Sequence, residues 1–145
     1  MRILFIVQGE GRGHLTQAMT MEAMLRRNGH EVVEVLVGKS GARSLPDFFS
    51  RSMDTPIRLF DSPNFLPTPS NKRSNLTRSV AYNIFKTPTY MKSILFIRSR
   101  IIQTKADLVV NFYELLTGLT YLLFRPQVPQ VSIGHQYLFL HSGFE

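Results

Sequence analysis

A histidine among glycines has little packing reason to be there, and this chain carries one at position 14, behind Gly9-Glu10-Gly11-Arg12-Gly13. An imidazole so placed can take the proton of an attacking hydroxyl, which is the work of a general base. The turn follows an apolar run at residues 3–7 and precedes a helical pattern. A buried strand that breaks into a glycine turn and then a helix sets that turn at the carboxyl edge of a parallel sheet, where open α/β folds bind ligands. Glycines there let the backbone take positive φ and let a ligand approach closely. A helix beginning near Leu15 would point unpaired N–H groups and its positive dipole end at the loop, favouring oxygen-rich or anionic ligands. The same field favours the neutral imidazole that a base requires.

Two later segments end in polar groups of the same kind. Asp107-Leu-Val-Val-Asn-Phe-Tyr-Glu114 reads as a strand ending in an acid, and Val128-Pro-Gln-Val-Ser-Ile-Gly-His-Gln136 as the next strand ending in His135 and Gln136. Glu114 has two readings: a charge at a helix N-terminus favoured by the dipole, or an acid that orients His14 and steadies its imidazolium. His135 and Gln136 either bind acceptor hydroxyls or close a turn. His30 and His141 look ordinary, in a helix-to-strand turn and near the chain end. Four histidines without cysteine, widely spaced, give no local metal-ligand pattern.

Both nucleotide fingerprints fit poorly. A dinucleotide loop needs G-x-G-x-x-G, and His14 stands where the last glycine belongs; residues 36–39, Leu-Val-Gly-Lys, offer no acid to grip a ribose. A phosphate-binding P-loop needs a lysine after the turn, and none follows.

The elements that must position these groups alternate. Strands are expected at 2–8, 31–38, 57–60, 108–112 and 130–133, with helices between them, an order that argues a Rossmann-like parallel sheet flanked by helices. Residues 15–28 form a helix whose apolar face comprises Leu15, Ala18, Met19, Met24 and Leu25, stopped by Gly29. A short helix is expected at 45–53. Residues 62–75, rich in proline, serine and asparagine, read as a binding loop. Residues 75–104 read as one long helix or two, interrupted near Pro88.

Composition frames the rest. A chain of 145 residues, 43% hydrophobic and 11% aromatic, is a single domain with enough material for a core. The absence of cysteine removes a disulfide framework and thiolate metal sites, and fits a reducing cytoplasm. No apolar stretch approaches the roughly 20 residues of a membrane span. The net charge of +7 is concentrated: between Lys72 and Lys105 there are eight basic residues, no acid, and many interleaved apolar side chains. The preferred reading packs the apolar residues on the sheet and leaves the charges in water. The alternative is a peripheral contact of residues 72–105 with anionic lipid, at very roughly 1 kcal/mol per basic side chain. No nucleic-acid motif is present, so nucleic acid is not an expected partner.

The stretch Gly11-Arg-Gly-His-Leu-Thr-Gln-Ala18, together with the strand ends at Glu114 and at His135-Gln136, resembles the amino-terminal domain of GT-B glycosyltransferases. It is most similar to the branch related to the lipid-intermediate N-acetylglucosaminyltransferases of cell-wall synthesis. Where related enzymes often carry an aspartate near the strand end, this chain has Asn111 and Phe112. The resemblance implies an acceptor-side domain over residues 1–145, with Gly11, Arg12, Gly13, His135 and Gln136 binding acceptor and His14 and Glu114 catalytic. It implies an inverting transfer from a nucleotide-sugar donor to a sugar or lipid-linked acceptor, without metal or other cofactor, on the cytoplasmic side. The donor would be held mainly by a second domain, so this domain alone is expected to be inactive. It would be a fragment of a longer transferase, the preferred reading, or a natural half that pairs with a separate subunit. A stand-alone α/β module for a small phosphorylated ligand is the reading from another class.

Overall fold

The computed structural model describes residues 1–41, 44–63 and 83–134. In chain order the elements are β1 (Arg2–Gln8), α1 (Arg12–Arg27), β2 (Glu31–Lys39), α2 (Asp47–Ser52), β3 (Ile57–Asp61), α3 (Thr87–Gln103), β4 (Leu108–Phe112), α4 (Leu115–Phe124) and β5 (Gln130–Ser132). The strands form one sheet in the order β3-β2-β1-β4-β5, every pair parallel. This is the helix-flanked, Rossmann-like α/β sheet expected from the alternation.

A central parallel strand is covered on both faces, and so it is apolar at successive positions rather than alternate ones. In β1, Ile3, Phe5 and Val7 enter one core with Leu15 and Ala18 of α1 and Phe49 of α2. Leu4 and Ile6 enter the other with Tyr90, Ile94, Ile97 and Ile101 of α3 and Leu116 of α4. The sheet is therefore a wall between two helical layers.

Helix α1 begins earlier than its apolar pattern suggests: Gly11 is the N-cap, and Arg12, Gly13 and His14 form the first turn. Burial of Leu15 and Ala18 anchors the helix and outweighs the low helix propensity of Gly13. Met24, expected on the inner face, is exposed, while Glu22 is buried. Glu22 is accommodated because Thr55 donates a hydrogen bond to its carboxylate and Arg26 pairs with it at 3.3 Å. The end is as expected: Gly29 takes φ 76°, its N–H reaching Arg26 O and that of His30 reaching Leu25 O at 3.0 and 2.9 Å. Those paired bonds are a Schellman stop.

Pro88 takes the second position of α3, where it removes an N–H that has no partner anyway, and a turn at Lys86 parts α3 from helical residues 83–85, so the stretch is broken in two near Pro88 as expected. Most of the expected 62–75 loop lies outside the described residues. The basic stretch is not simply a wet face, because Arg100 turns inward and grips Glu34 with Nε and Nη2 at 2.7 and 2.9 Å. Arg58 holds the same carboxylate at 2.6 Å, which ties β2, β3 and α3 together. Nor do all its apolar residues reach the sheet: Ile84, Phe85, Met91, Leu95 and Ile102 are exposed. One helical face buries only about a third to a half of such a sequence.

Candidate functional site

From β1 the chain winds outward through β2 to β3, then returns to place β4 on the other side of β1. The turns after β1 and β4 therefore diverge and leave a crevice at the carboxyl edge, the position where open α/β sheets bind ligands. His14 follows the first of these turns and Glu114 the second, so the topology brings both to one rim.

The turn after β1 is pressed against the tip of β2. Gly9 N–H donates to Gly38 O at 2.7 Å, and Ser40 N–H donates to Glu10 Oε1 at 2.6 Å. A Cβ on Gly9 would stand 2.8 Å from Val37 Cγ1. Close approach, not left-handed backbone, is what this glycine provides: among the described glycines only Gly29 has positive φ.

His14 is the third residue of α1 and half-buried. Its ring stacks on Tyr113, with centroids 5.5 Å apart and planes inclined by 12°. Tyr113 adopts φ 62°, a left-handed conformation uncommon for an aromatic residue and of the sort that clusters at functional sites. The N-cap of α1 is Gly11, which has no side chain to cap it, the first turn holds no acid, and Arg12 and Gly13 are exposed. The positive end of α1 thus lies beside the imidazole without a cap from its own N-cap residue.

Glu114 is only 2% exposed and is the N-cap of α4. Its Oε1 accepts from Leu116 N–H at 3.2 Å and from Ser62 Oγ at 2.7 Å. Asn111 fixes its backbone twice, accepting from Glu114 N–H at 2.8 Å and donating to Glu114 O at 3.2 Å. The other oxygen, Oε2, is buried without a hydrogen-bond partner among the described residues. It lies against Gly38, where an added Cβ would collide with it and stand 2.8 Å from Glu114 Cδ. Burial pushes the carboxyl up to about 7, against the lowering effect of Ser62 and Leu116 N–H and with a further rise from Glu10. The capping reading of Glu114 thus describes Oε1, whereas Oε2 serves no cap. The ring that touches His14 belongs to Tyr113, the chain neighbour of Glu114.

Tyr113 and Glu114 border a cavity of about 690 Å³ whose wall also includes Gln8, Ser62, Asn111 and Ser132, and His14 is not among its lining residues. They come from the carboxyl ends of β1, β3, β4 and β5. His135 and Gln136 lie outside the described residues, two and more positions past Ile133. Sequence reasoning gave none of Ser62, Gly38, Asn111 and Tyr113 a role in the site, although it noted Asn111 at the strand end and placed residue 62 at the start of a loop. Only Asn111 leaves a local trace there, as an asparagine three residues before a helix-capping acid. Among the described residues no three carboxylates or imidazoles gather into a metal-holding group.

The sequence model of glycosyl transferase family 1 matches residues 1–142. No curated protein matches the chain in sequence. Among solved structures, MurG of Acinetobacter baumannii superposes with a TM-score of 0.50 at 15% identity, over 90% of this chain and 34% of that one. The glycotransferase of kitacinnamycin superposes with a TM-score of 0.53 at 14% identity, over 90% of this chain and 29% of that one. The chain thus spans about a third of the length of the structures it matches, and at these identities the likeness is one of fold.

Proposed function

Because the chain belongs to glycosyl transferase family 1, we propose that it is the acceptor-side domain of an inverting, metal-independent glycosyltransferase in which His14 is the base. The observation that carries this reading is the seating of His14: an imidazole stacked on Tyr113, at the N-terminus of α1, on the ligand-binding edge of the sheet. In the reaction, His14 takes the proton of an acceptor hydroxyl as its oxygen bonds to the anomeric carbon of a nucleotide sugar. The bond from that carbon to the nucleoside diphosphate breaks in the same displacement, with inversion. Gly11, Arg12 and Gly13 at the first turn of α1 bind oxygen-rich parts of the acceptor. His135 and Gln136 contact its hydroxyls, and Glu114 supports the site from the rim. The donor is held by a second domain, on the same chain or on a partner subunit, and the domain alone is inactive.

A sugar or lipid-linked acceptor fits a cytoplasmic enzyme that touches the membrane surface through residues 72–105. Lys92, Met91 and Leu95 stand exposed together on α3, and no described helix is long and apolar enough to cross a bilayer. Association with anionic vesicles at low salt that fades at high salt is the expected sign of such contact.

The deciding experiment is His14→Ala in a polypeptide that joins this domain to its donor-binding domain. Turnover should fall by about a hundredfold or more with donor binding retained, the scale of a lost general base. Unchanged turnover removes His14 as base. The N-terminus of α1 would then favour a module that binds a small phosphorylated ligand.

A further inference from the structure

Three non-glycine residues among those described have positive φ: Lys105, Tyr113 and Arg125. Arg125 is the C-cap of α4 and Lys105 follows the C-cap of α3, the usual places for left-handed backbone. Tyr113 is different, since it follows a strand and precedes a helix. No helix end accounts for its conformation, so its neighbours must hold it there.

Both neighbours are fixed. Phe112 is fully buried, its ring 5.0 Å from that of Phe5 and inclined by 66°. Glu114 is held through its main chain by the side-chain amide of Asn111, which accepts from Glu114 N–H at 2.8 Å and donates to Glu114 O at 3.2 Å. A carboxamide presents an acceptor and a donor side by side and can close both bonds, whereas a carboxylate of the same shape can close only the first. Asn111 is itself anchored in the sheet. It pairs with Ile6 of β1 and Ser132 of β5, and its carbonyl accepts from Ile133 N–H at 2.8 Å. The clasp therefore starts from rigid backbone and closes around Phe112 and Tyr113.

Helix capping does not require this clasp. Glu114 Oε1 already caps α4 through Leu116 N–H. In a capping box, the N–H of the cap residue is taken by the third helical residue. Here that residue is Thr117, whose Oγ1 is buried with no hydrogen-bond partner among the described residues. Asn111 takes the N–H from the strand side instead, where it constrains the turn as well as the helix.

We propose that Asn111 is a positioning residue for His14: its grip on the Glu114 main chain keeps Tyr113 left-handed and so lays the tyrosine ring on the imidazole. The kinetic consequence rests on the reading of His14 as base given above, and the geometric consequence does not.

The test compares the parent chain, isotope-labelled for NMR, with Asn111→Asp, which retains the acceptor and loses the donor, and Asn111→Ala, which loses both. The parent should show a strong intraresidue NOE from amide to α-proton at Tyr113, the mark of positive φ, and His14 ring protons shifted upfield by the tyrosine ring. Both signs should weaken in Asn111→Asp and vanish in Asn111→Ala, while the methyl signals of Val35 and Ile97, one in each core, stay in place. In a polypeptide joined to its donor-binding domain, Asn111→Asp should lower kcat by about tenfold at unchanged KM, the pattern of a misplaced base. Absence of the two signs from the parent, their persistence in Asn111→Ala, or loss of the core methyl pattern in both variants overturns the proposal. So does a normal kcat in Asn111→Asp where His14→Ala is impaired. Full turnover in His14→Ala instead strikes the base reading and leaves the clasp to the NMR comparison.

Discussion

Tyr113 lies flat against His14, its ring centroid 5.5 Å away and its plane 12° from parallel, on a backbone held at φ 62°. A left-handed residue of this kind costs about 1–2 kcal/mol in an L-amino acid, and an aromatic stack returns about 0.5–1.5 kcal/mol. Two opposed terms of similar size mean that the tyrosine is held by its surroundings, with the ring fixed as a platform for the imidazole.

Tyr113→Gly should therefore leave stability within about 1 kcal/mol of the parent, because relief of the strained backbone offsets loss of the stack. Turnover in the joined enzyme should still fall by about tenfold to a hundredfold, as the imidazole loses its orientation. Chemical denaturation and initial rates measured together check both halves. A large loss of stability with normal turnover would contradict the assignment.

Gly38→Ala places a methyl group against Glu114 Oε2 and 2.8 Å from Phe60 Cε2. The expected cost is about 1–3 kcal/mol of stability, as for overpacking of a core. Combined with Glu114→Ala it should cost clearly less than the sum of the two single changes, since one of the colliding groups is gone. Additive effects in the double mutant would show that the two residues do not meet.

Glu114 also sets a pH dependence with a definite sign. Its carboxyl rises from 4.5 to about 7 on folding, so between those values the folded chain holds a proton that the unfolded chain has released. Stability from this group is complete at low pH and declines as pH climbs through that window, by a few kcal/mol at most given about 1.4 kcal/mol per pH unit. The difference in unfolding free energy between the parent and Glu114→Gln should shrink or reverse across the same window. A difference that is flat from pH 4 to pH 8 would show that the buried carboxyl does not titrate there.

Glu34 presents a contrasting carboxylate, one that is buried with its charge matched. Its side chain is 5% exposed and takes Arg100 and Arg58, which are 19% and 55% exposed. Glu34→Ala should destabilise by about 3–5 kcal/mol because it strands the guanidinium of Arg100. Arg58→Ala should cost under about 1 kcal/mol, because that partner is solvated. Thermal melting of the two variants distinguishes them.

The alternation of strands and helices, the apolar run of β1 and the stop at Gly29 were legible in the sequence, because each rests on local pattern, whereas the order of the strands across the sheet was not. The start of α1 was less so. Its N-cap is a glycine with no side-chain bond and its first turn holds another glycine, so Gly11-Arg12-Gly13 gives no local sign of helix; packing of Leu15 and Ala18 decides it. The rim was legible only at His14 and Glu114. Ser62 reaches Glu114 across 52 positions of chain, and Gly38 meets it from β2, so these partners exist only once the sheet has aligned its strand tips. Tyr113 carries no warning at all, since its left-handed backbone is imposed by the turn and not preferred by the residue.

At the tips of β1 and β2, Gly9 and Gly38 meet main chain to main chain, with no room for a side chain at either. For anyone wishing to redirect the preferences of this rim, half of it is closed to diversification, and libraries aimed at those two positions would return mostly misfolded clones. The productive positions are Leu115, Gly118, Gln130 and Ser132, where side chains can be exchanged without touching the junction that holds the turn before His14 in register.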